Sequence, residues 1–232
     1  MKSAKSILVV ALFVTTACVQ ARTTSPAPIA PAVSTARFAD EVALFEASDK
    51  TNPPPRNAVL FVGSSTIRRW QNLSADFPGV TVIQRGVGGS QAEEILHYTP
   101  RIVLPYKPRL IVFYAGDNDL QEGRTPEMVV QSFKDFVALV HRELPDTKIA
   151  FVSIKPSLSR IALIDKMRSA NATIRNYIAT DPKLIYVDVF NPMLGEDGMP
   201  LKNIFVEDGL HMNAAGYAIW RAVLQPVVNR AP

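Results

Sequence analysis

The fold is decided by AVLFVGSST (residues 58–66), in which a continuous apolar run ends in a Gly-Ser-Ser turn. Four further runs rich in Val, Ile, Leu, Phe and Tyr follow along the chain: VTVIQ (80–84), RLIVFYAG (109–116), KIAFVSIKP (148–156) and LIYVDVF (184–190). Continuous rather than alternating apolar runs are typical of strands that helices cover on both faces. The sequence therefore predicts a five-stranded, mainly parallel sheet.

Helical patterns alternate with these strands. Apolar residues recur at helical spacing in four later segments, 91–104, 126–144, 160–179 and 213–229. An earlier stripe in 37–50 ends before a run of three prolines. Alternating strands and helices imply right-handed crossovers, so we expect an α/β protein with a flavodoxin-like, three-layer α/β/α sandwich over residues 37–232. Active sites in such folds lie at the carboxyl ends of the strands.

The first 36 residues have a different composition. Residues 1–21 carry Lys2 and Lys5, then an apolar stretch too short to span a bilayer, then small residues, which is the layout of a secretory signal peptide. Residues 22–36 are rich in Pro, Ala, Ser and Thr, a composition typical of an extended linker. We therefore expect a secreted protein or one of the periplasm or cell envelope.

Two cleavage sites compete at the end of the signal. Val19-Gln20-Ala21 resembles a small-x-small site before Arg22, whereas residues 15–18 resemble a bacterial lipobox ending at Cys18. In the second case Cys18 would be lipidated and would anchor the protein to the outer membrane. Thr15 stands where a lipobox prefers Leu. A lipid anchor at Cys18 is the only membrane contact that we expect.

Composition limits the function classes further. The 232 residues are 47% hydrophobic and 20% charged, as in ordinary globular proteins. The formal charge of +4 would fall to +2 if both lysines of the signal were removed, and no basic run is present, so no nucleic-acid partner is expected. Cys18 is the single cysteine, so the folded domain has no internal disulfide.

Polar residues follow the first two predicted strands. Ser65 stands at a strand-to-helix turn, where serine is more often a helix N-cap than a nucleophile. The turn after the second strand contains Gly86, Gly88 and Gly89, which allow backbone N–H groups to approach a ligand closely. The glycine spacing matches neither dinucleotide-binding nor phosphate-binding loops, which disfavours a nucleotide site.

Two further groups of polar residues lie later in the chain, after the third predicted strand and before the last predicted helix. Asp117-Asn118-Asp119 follows the third strand, where a turn alone would explain these residue types. The two carboxylates could also suggest a metal site, but the sequence has no His or Cys nearby, which disfavours one. Asp208 precedes His211 by three residues just before the last helix. That spacing lets the carboxylate accept a hydrogen bond from one ring nitrogen and leaves the other as a general base. His97 and His141 lack such a carboxylate and are expected to be structural or solvated.

Together these residues resemble the four sequence blocks of the SGNH (GDSL-type) hydrolase family, in order. The matching segments are GSS (63–65), Gly89, GDND (116–119) and DGLH (208–211). The resemblance implies an SGNH hydrolase fold, with Ser65 as nucleophile, His211 as general base and Asp208 orienting the imidazole. It also implies an oxyanion hole made by the Ser65 and Gly89 N–H groups and the Asn118 amide, and no cofactor or metal.

One departure from the family concerns the nucleophile's neighbours. Ser64 and Thr66 stand where the family usually has Asp and Leu, so the local hydrogen bonds around Ser65 are expected to differ. The absence of GxSxG also argues against the α/β-hydrolase fold, which uses the same three residue types.

The resemblance predicts an esterase that acts on a small ester or on an acylated glycan or lipid. A short acyl group is favoured because the family's crevice is shallow and the sequence contains no dedicated lid. A carbohydrate O-acetylesterase or a lysophospholipase of the cell envelope is an alternative. A non-catalytic module that binds envelope glycans is the alternative from another class, although the intact set of Ser65, Gly89, Asn118, Asp208 and His211 argues against it.

Overall fold

A computed structural model describes residues 35–230. It contains one sheet of five strands, all parallel, in the order β2-β1-β3-β4-β5. The strands are β1 (Val59–Gly63), β2 (Val82–Gly86), β3 (Leu110–Tyr114), β4 (Lys148–Val152) and β5 (Leu184–Val187). The predicted five-stranded parallel sheet is therefore confirmed. The predicted signal peptide (1–21), Cys18 and all but the last two residues of the predicted linker (22–36) lie outside the described residues.

Eight α-helices accompany the sheet in this part of the chain. They are α1 (Ala39–Thr51), α2 (Ser65–Arg68), α3 (Leu73–Asp76), α4 (Ala92–Ile102), α5 (Asp117–Gln121), α6 (Pro126–Glu143), α7 (Ile164–Ile178) and α8 (Ala214–Arg230). The five long helices lie within the predicted segments, except that α1 and α8 each end one residue later. None of the helices between residues 35 and 230 has the length and apolar character needed to cross a bilayer.

Two hydrophobic cores lie on the two faces of the sheet, because successive strand residues point to opposite sides. Leu60 and Val62 of β1 join the core formed with α1, α4, α6 and α7. Val59 and Phe61 join the other core, formed with α2, α3 and α8. This arrangement is the predicted three-layer α/β/α sandwich. Strands β1 and β3 are completely buried, which explains their continuous apolar sequences.

Strands β4 and β5 end four and three residues before their predicted runs do, and strand β2 is shifted along the chain from its predicted position. Strand β2 begins and ends two residues later than the apolar run VTVIQ, because Arg85 and Gly86 pair with Val62 and Gly63 of β1. The ladder with the neighbouring strand, rather than local hydrophobicity, sets the end of β2. As a result, β1 and β2 end side by side, at the edge of the sheet where the polar groups of the sequence converge.

Candidate active site

Ser65 lies at the carboxyl end of β1, as the first residue of α2. The turn before it is tightly packed. A Cβ added to Gly63 would lie 1.9 Å from the carbonyl oxygen of Tyr114 in β3, and a Cβ added to Gly86 would lie 2.1 Å from the backbone nitrogen of Arg68 in α2. Only glycine fits at these two positions. The close packing fixes α2, and with it Ser65, against the ends of three strands.

The structure brings Ser65, His211 and Asp208 together in one hydrogen-bonded chain. The Nε2 atom of His211 lies 3.0 Å from Ser65 Oγ, although the two residues are 146 positions apart. On the other side of the ring, Nδ1 lies 2.6 Å from Asp208 Oδ2. A carboxylate at Nδ1 keeps a proton on that nitrogen and leaves Nε2 free to accept one from the serine. The arrangement can therefore activate a nucleophilic serine.

Asp208 is held as an anion by its own turn. Its Oδ1 accepts the backbone N–H groups of Leu210 and His211, both at 2.8 Å. Partial desolvation acts to raise the pKa of Asp208, but the hydrogen bonds from the His211 side chain and from these N–H groups outweigh it, and the pKa is well below the usual range. The Asp208 carboxylate therefore carries a negative charge beside the His211 ring when that ring becomes a positive imidazolium.

Gly89 and Asn118 border the same crevice as Ser65 and His211. Neither the Ser65 N–H nor the Gly89 N–H donates a hydrogen bond to another group within residues 35–230. The Asn118 Nδ2 donates one of its two hydrogens to the Ser90 carbonyl, at 2.9 Å. Donors of the predicted oxyanion hole are thus present around the nucleophile.

The crevice has a volume of about 480 Å³, and most of the residues that line it have polar or charged side chains. Three arginines line it, Arg68, Arg69 and Arg160, and Leu210 is the one apolar side chain among the described residues that do so. Arg68 pairs with Glu41 of α1, and Arg160 pairs with Asp117. In residues 35–230, no group of three or more His, Cys, Asp or Glu side chains is arranged to hold a metal ion.

The two neighbours of Ser65 are buried. Ser64 Oγ makes no hydrogen bond within the described part of the chain, while the Ser64 N–H donates to the Tyr114 carbonyl, at 3.1 Å. The Thr66 carbonyl accepts the Tyr217 hydroxyl, at 2.9 Å. The backbone of this segment, more than the two side chains, therefore holds it in place.

Two charged residues near the site did not stand out in the sequence. Lys155 and Arg160, in the loop after β4, lie beside Asp117, whose residue type had been explained by turn chemistry alone. One signal was available, because Lys155 stands at the carboxyl end of the apolar run KIAFVSIKP. His97 and His141 do not line the crevice; His141 Nε2 lies 3.1 Å from the Thr147 carbonyl.

The sequence matches a family of known proteins over most of its length. The model of the GDSL-like lipase/acylhydrolase family matches residues 56–219, more than two thirds of the chain. A search of the curated proteins found no match.

Several solved structures share the fold. A GDSL-like lipase from Bacteroides thetaiotaomicron is 24% identical, with a TM-score of 0.69 over 85% of this chain and 98% of that one. A Bacteroides fragilis protein assigned as an acylhydrolase is 22% identical, with a TM-score of 0.69 over 84% and 95% of the two chains. An acetylxylan esterase from Geobacillus stearothermophilus is 12% identical, with a TM-score of 0.61 over 75% and 95%. Since the family model spans both the strand that precedes Ser65 and the turn that carries His211, the chain belongs to the GDSL-like lipase/acylhydrolase family and is a hydrolase that acts on ester bonds.

Proposed function

We propose that this hydrolase is a serine esterase for short-acyl carboxylic esters, with Ser65, His211 and Asp208 as its catalytic triad. The observation that carries the proposal is the unbroken chain of hydrogen-bond distances from Ser65 Oγ through His211 to Asp208. Asp208 and His211 are three residues apart in sequence, whereas Ser65 is 146 residues from His211. Such a chain has little purpose in a domain that only binds a glycan, which disfavours the binding-module alternative.

The reaction follows from the positions of these atoms. His211 Nε2 removes the Ser65 proton as Oγ attacks the ester carbonyl carbon, and a tetrahedral oxyanion forms. The Ser65 and Gly89 N–H groups and Asn118 Nδ2 would donate hydrogen bonds to this oxygen. The carbon–oxygen bond to the alcohol then breaks, and the alcohol leaves with the proton from His211. Water, deprotonated by the same nitrogen, then attacks the acyl carbon; the bond from that carbon to Ser65 Oγ breaks, the acid is released and His211 returns the proton to Oγ.

The preference for a short acyl group is supported by the lining of the crevice. A long hydrocarbon chain needs a continuous apolar surface, whereas this crevice has Leu210 among three arginines and two glycines. An acetyl or similarly small group needs no such surface. The same lining gives less support to a lysophospholipase, whose substrate carries a long chain.

A carbohydrate O-acetylesterase is a second candidate function. A groove of about 690 Å³, lined by both apolar and polar residues, adjoins the crevice, and Arg69 lines both. Gln71, Asn72, Asn213 and Arg221 also face this groove, which offers hydrogen-bonding groups to a large polar alcohol such as a sugar chain. The acetylxylan esterase mentioned above has the same fold, although its low identity carries no argument about substrate.

The location of the protein is also a proposal. The predicted signal over residues 1–21 and the linker over 22–36 support a protein of the periplasm or cell envelope, or a secreted one, with a lipid anchor at Cys18 as the alternative. Envelope glycans carrying acyl groups would be within reach of an esterase on such a tether.

The test is hydrolysis of p-nitrophenyl esters, from acetate to a long acyl chain, by the chain without residues 1–21. We expect turnover that falls as the acyl chain lengthens, and loss of turnover in Ser65→Ala. Acetylated xylan and acetylated amino-sugar polymers, with release of acetate as the measurement, would separate the two candidate functions. Equal activity in Ser65→Ala and the unaltered chain would rule out the triad.

A further inference from the structure

A buried ionic cluster lies next to the crevice and is not used by the proposed mechanism. It consists of Asp117, Lys155 and Arg160, whose side chains are 5%, 1% and 11% exposed. Arg160 Nη1 lies 3.1 Å from Asp117 Oδ2, and Lys155 Nζ lies 3.6 Å from the same oxygen. Burial of charged groups is unfavourable unless they are well paired, and replacement by apolar residues is often neutral or stabilising. Because the cluster is not expected to add stability, its position beside the active site suggests a role in function.

The cluster contacts the proposed oxyanion donor directly. Arg160 Nη2 donates to Asn118 Oδ1, at 2.9 Å. Asp117, the neighbour of Asn118 in sequence, holds the other nitrogen of the same guanidinium through the ion pair. The Asn118 side chain is nearly buried and has few other partners; its Nδ2 donates to the Ser90 carbonyl. Arg160 is the one residue in the described part of the chain that donates a hydrogen bond to Asn118 Oδ1.

The chemical nature of these partners decides which way the amide points. Guanidinium nitrogens only donate hydrogen bonds, so the group that faces Arg160 must be the amide oxygen. A carbonyl oxygen only accepts, so the group that faces Ser90 must be the amide nitrogen. If the amide turned over, its oxygen would replace Nδ2 and would repel the negative oxygen that develops in the crevice. One bond from Arg160 therefore opposes the unproductive orientation.

We propose that Arg160 is a positioning residue, which fixes the Asn118 amide so that its nitrogen faces the developing oxyanion, and that Asp117 holds Arg160 in place for this role. The inference rests on the proposed esterase function, since it assigns to Asn118 a role in that reaction. It adds Asp117, the first residue of α5, and Arg160, in the loop after β4, to the machinery of the site. Arg160 acts through Asn118 and not on the ester itself.

A double-mutant cycle in the full chain tests this role, with a p-nitrophenyl ester as substrate. Asn118→Ala is expected to lower kcat by roughly 10²–10³ with little change in KM. Arg160→Met is expected to lower kcat by about 10-fold or more, also with little change in KM. The double variant is expected to match Asn118→Ala, because an amide that is absent cannot be misoriented. Arg160→Lys, which retains a donor, is expected to recover part of the loss.

A matched control separates orientation from general stability. Arg85 is similarly buried, at 13% exposure, and pairs with Asp49, but it does not line the crevice. Arg85→Met is expected to retain kcat even where its melting temperature falls as far as that of Arg160→Met. If Arg160→Met does not fold, Asp117→Asn and Arg160→Lys supply the single variants for the same cycle with Asn118→Ala.

The outcomes distinguish this inference from the esterase proposal. An inactive unaltered chain, or an active Ser65→Ala, overturns the proposed function and the inference with it. An active chain whose Arg160 and Asn118 variants reduce kcat by independent factors overturns the inference alone. A rise in KM at unchanged kcat in Arg160→Met would also overturn it, because Arg160 would then be binding substrate directly.

Discussion

Asp208 is 42% exposed, yet its geometry is as well defined as that of a buried residue. One oxygen binds the His211 ring, and the other accepts two backbone N–H groups of the same turn. The turn thus contains the carboxylate, the imidazole and the N–H groups that orient them, within four residues. This compactness explains why the pair could be recognised from a spacing of three residues.

Replacement of Asp208 by Asn tests the orienting role. The amide retains much of the shape but can present a donor to His211 Nδ1, which would favour the tautomer with a proton on Nε2. That nitrogen then could not accept the Ser65 proton, so we expect kcat to fall by about 10³–10⁴ at neutral pH. Steady-state kinetics and the circular dichroism spectrum, which should be unchanged, check this. A loss of less than tenfold would contradict the role of Asp208.

The contact between β2 and α2 sets the position of the proposed nucleophile, Ser65. Gly86 ends β2, and its missing side chain leaves room for the backbone of Arg68 in α2. The φ angle of Gly86 is ordinary, so the requirement for glycine is steric and not conformational. The first two family blocks are thereby linked through a backbone-to-backbone contact between these two elements.

Gly86→Ala is expected to displace α2, because the new Cβ would lie 2.1 Å from the Arg68 nitrogen. We expect the free energy of unfolding to fall by about 1–3 kcal/mol, and kcat to fall because Ser65 moves with α2. Urea denaturation and ester hydrolysis are the measurements. Gly79→Ala is the control: its Cβ meets no atom within 4 Å, although φ is +79°, so stability should fall slightly and kcat should not change.

Asp119 connects α5 to α4. Its carboxylate accepts the Ala92 N–H at the start of α4, at 3.0 and 3.2 Å, and is completely buried. Burial raises the pKa of Asp119 from 3.8 to about 7, while the backbone hydrogen bonds oppose the shift. Between these two values the folded chain holds a proton that the unfolded chain has lost.

The stability of the protein should therefore depend on pH through Asp119. Since unfolding releases that proton, the free energy of unfolding should fall as pH rises from about 4 to 7, with a limiting slope of about 1.4 kcal/mol per pH unit. Asp119→Asn should flatten this slope by removing the ionisation. Urea denaturation of both proteins at pH 5, 6 and 7 checks the difference between them. If the free energy of unfolding falls with pH equally in both proteins, groups other than Asp119 cause the pH dependence.

The whole molecule combines an open crevice, lined mostly by polar and charged residues, with an N-terminal segment for which we propose a role in export to the cell envelope. If Cys18 is lipidated, the full chain expressed in a bacterial host should sediment with membranes, and Cys18→Ser should be soluble and equally active on p-nitrophenyl acetate. Fractionation and mass spectrometry of the N-terminal peptide are the measurements. An unmodified N-terminus at Arg22 would instead support the small-x-small cleavage site.

The sequence by itself determined the elements and the main candidates for catalysis. Strands β1 and β3 are buried on both faces, and their apolar runs directly express that environment. Asp208 and His211 share one turn, so their partnership could be inferred locally. Ser65 and Asn118 could be assigned roles only through the resemblance of the four blocks, because each alone fits a helix cap or a turn.

The tertiary structure alone decided the strand order, the end of β2 and the ionic cluster beside the crevice. Arg160 and Asn118 are 42 residues apart, and Lys155 donates to the Leu210 carbonyl across 55 residues. Hydrophobic periodicity reports how far each segment is buried, which is a local property of the chain. The partner of a buried charge depends instead on which loops the sheet order brings together, and that is fixed only when the layers pack.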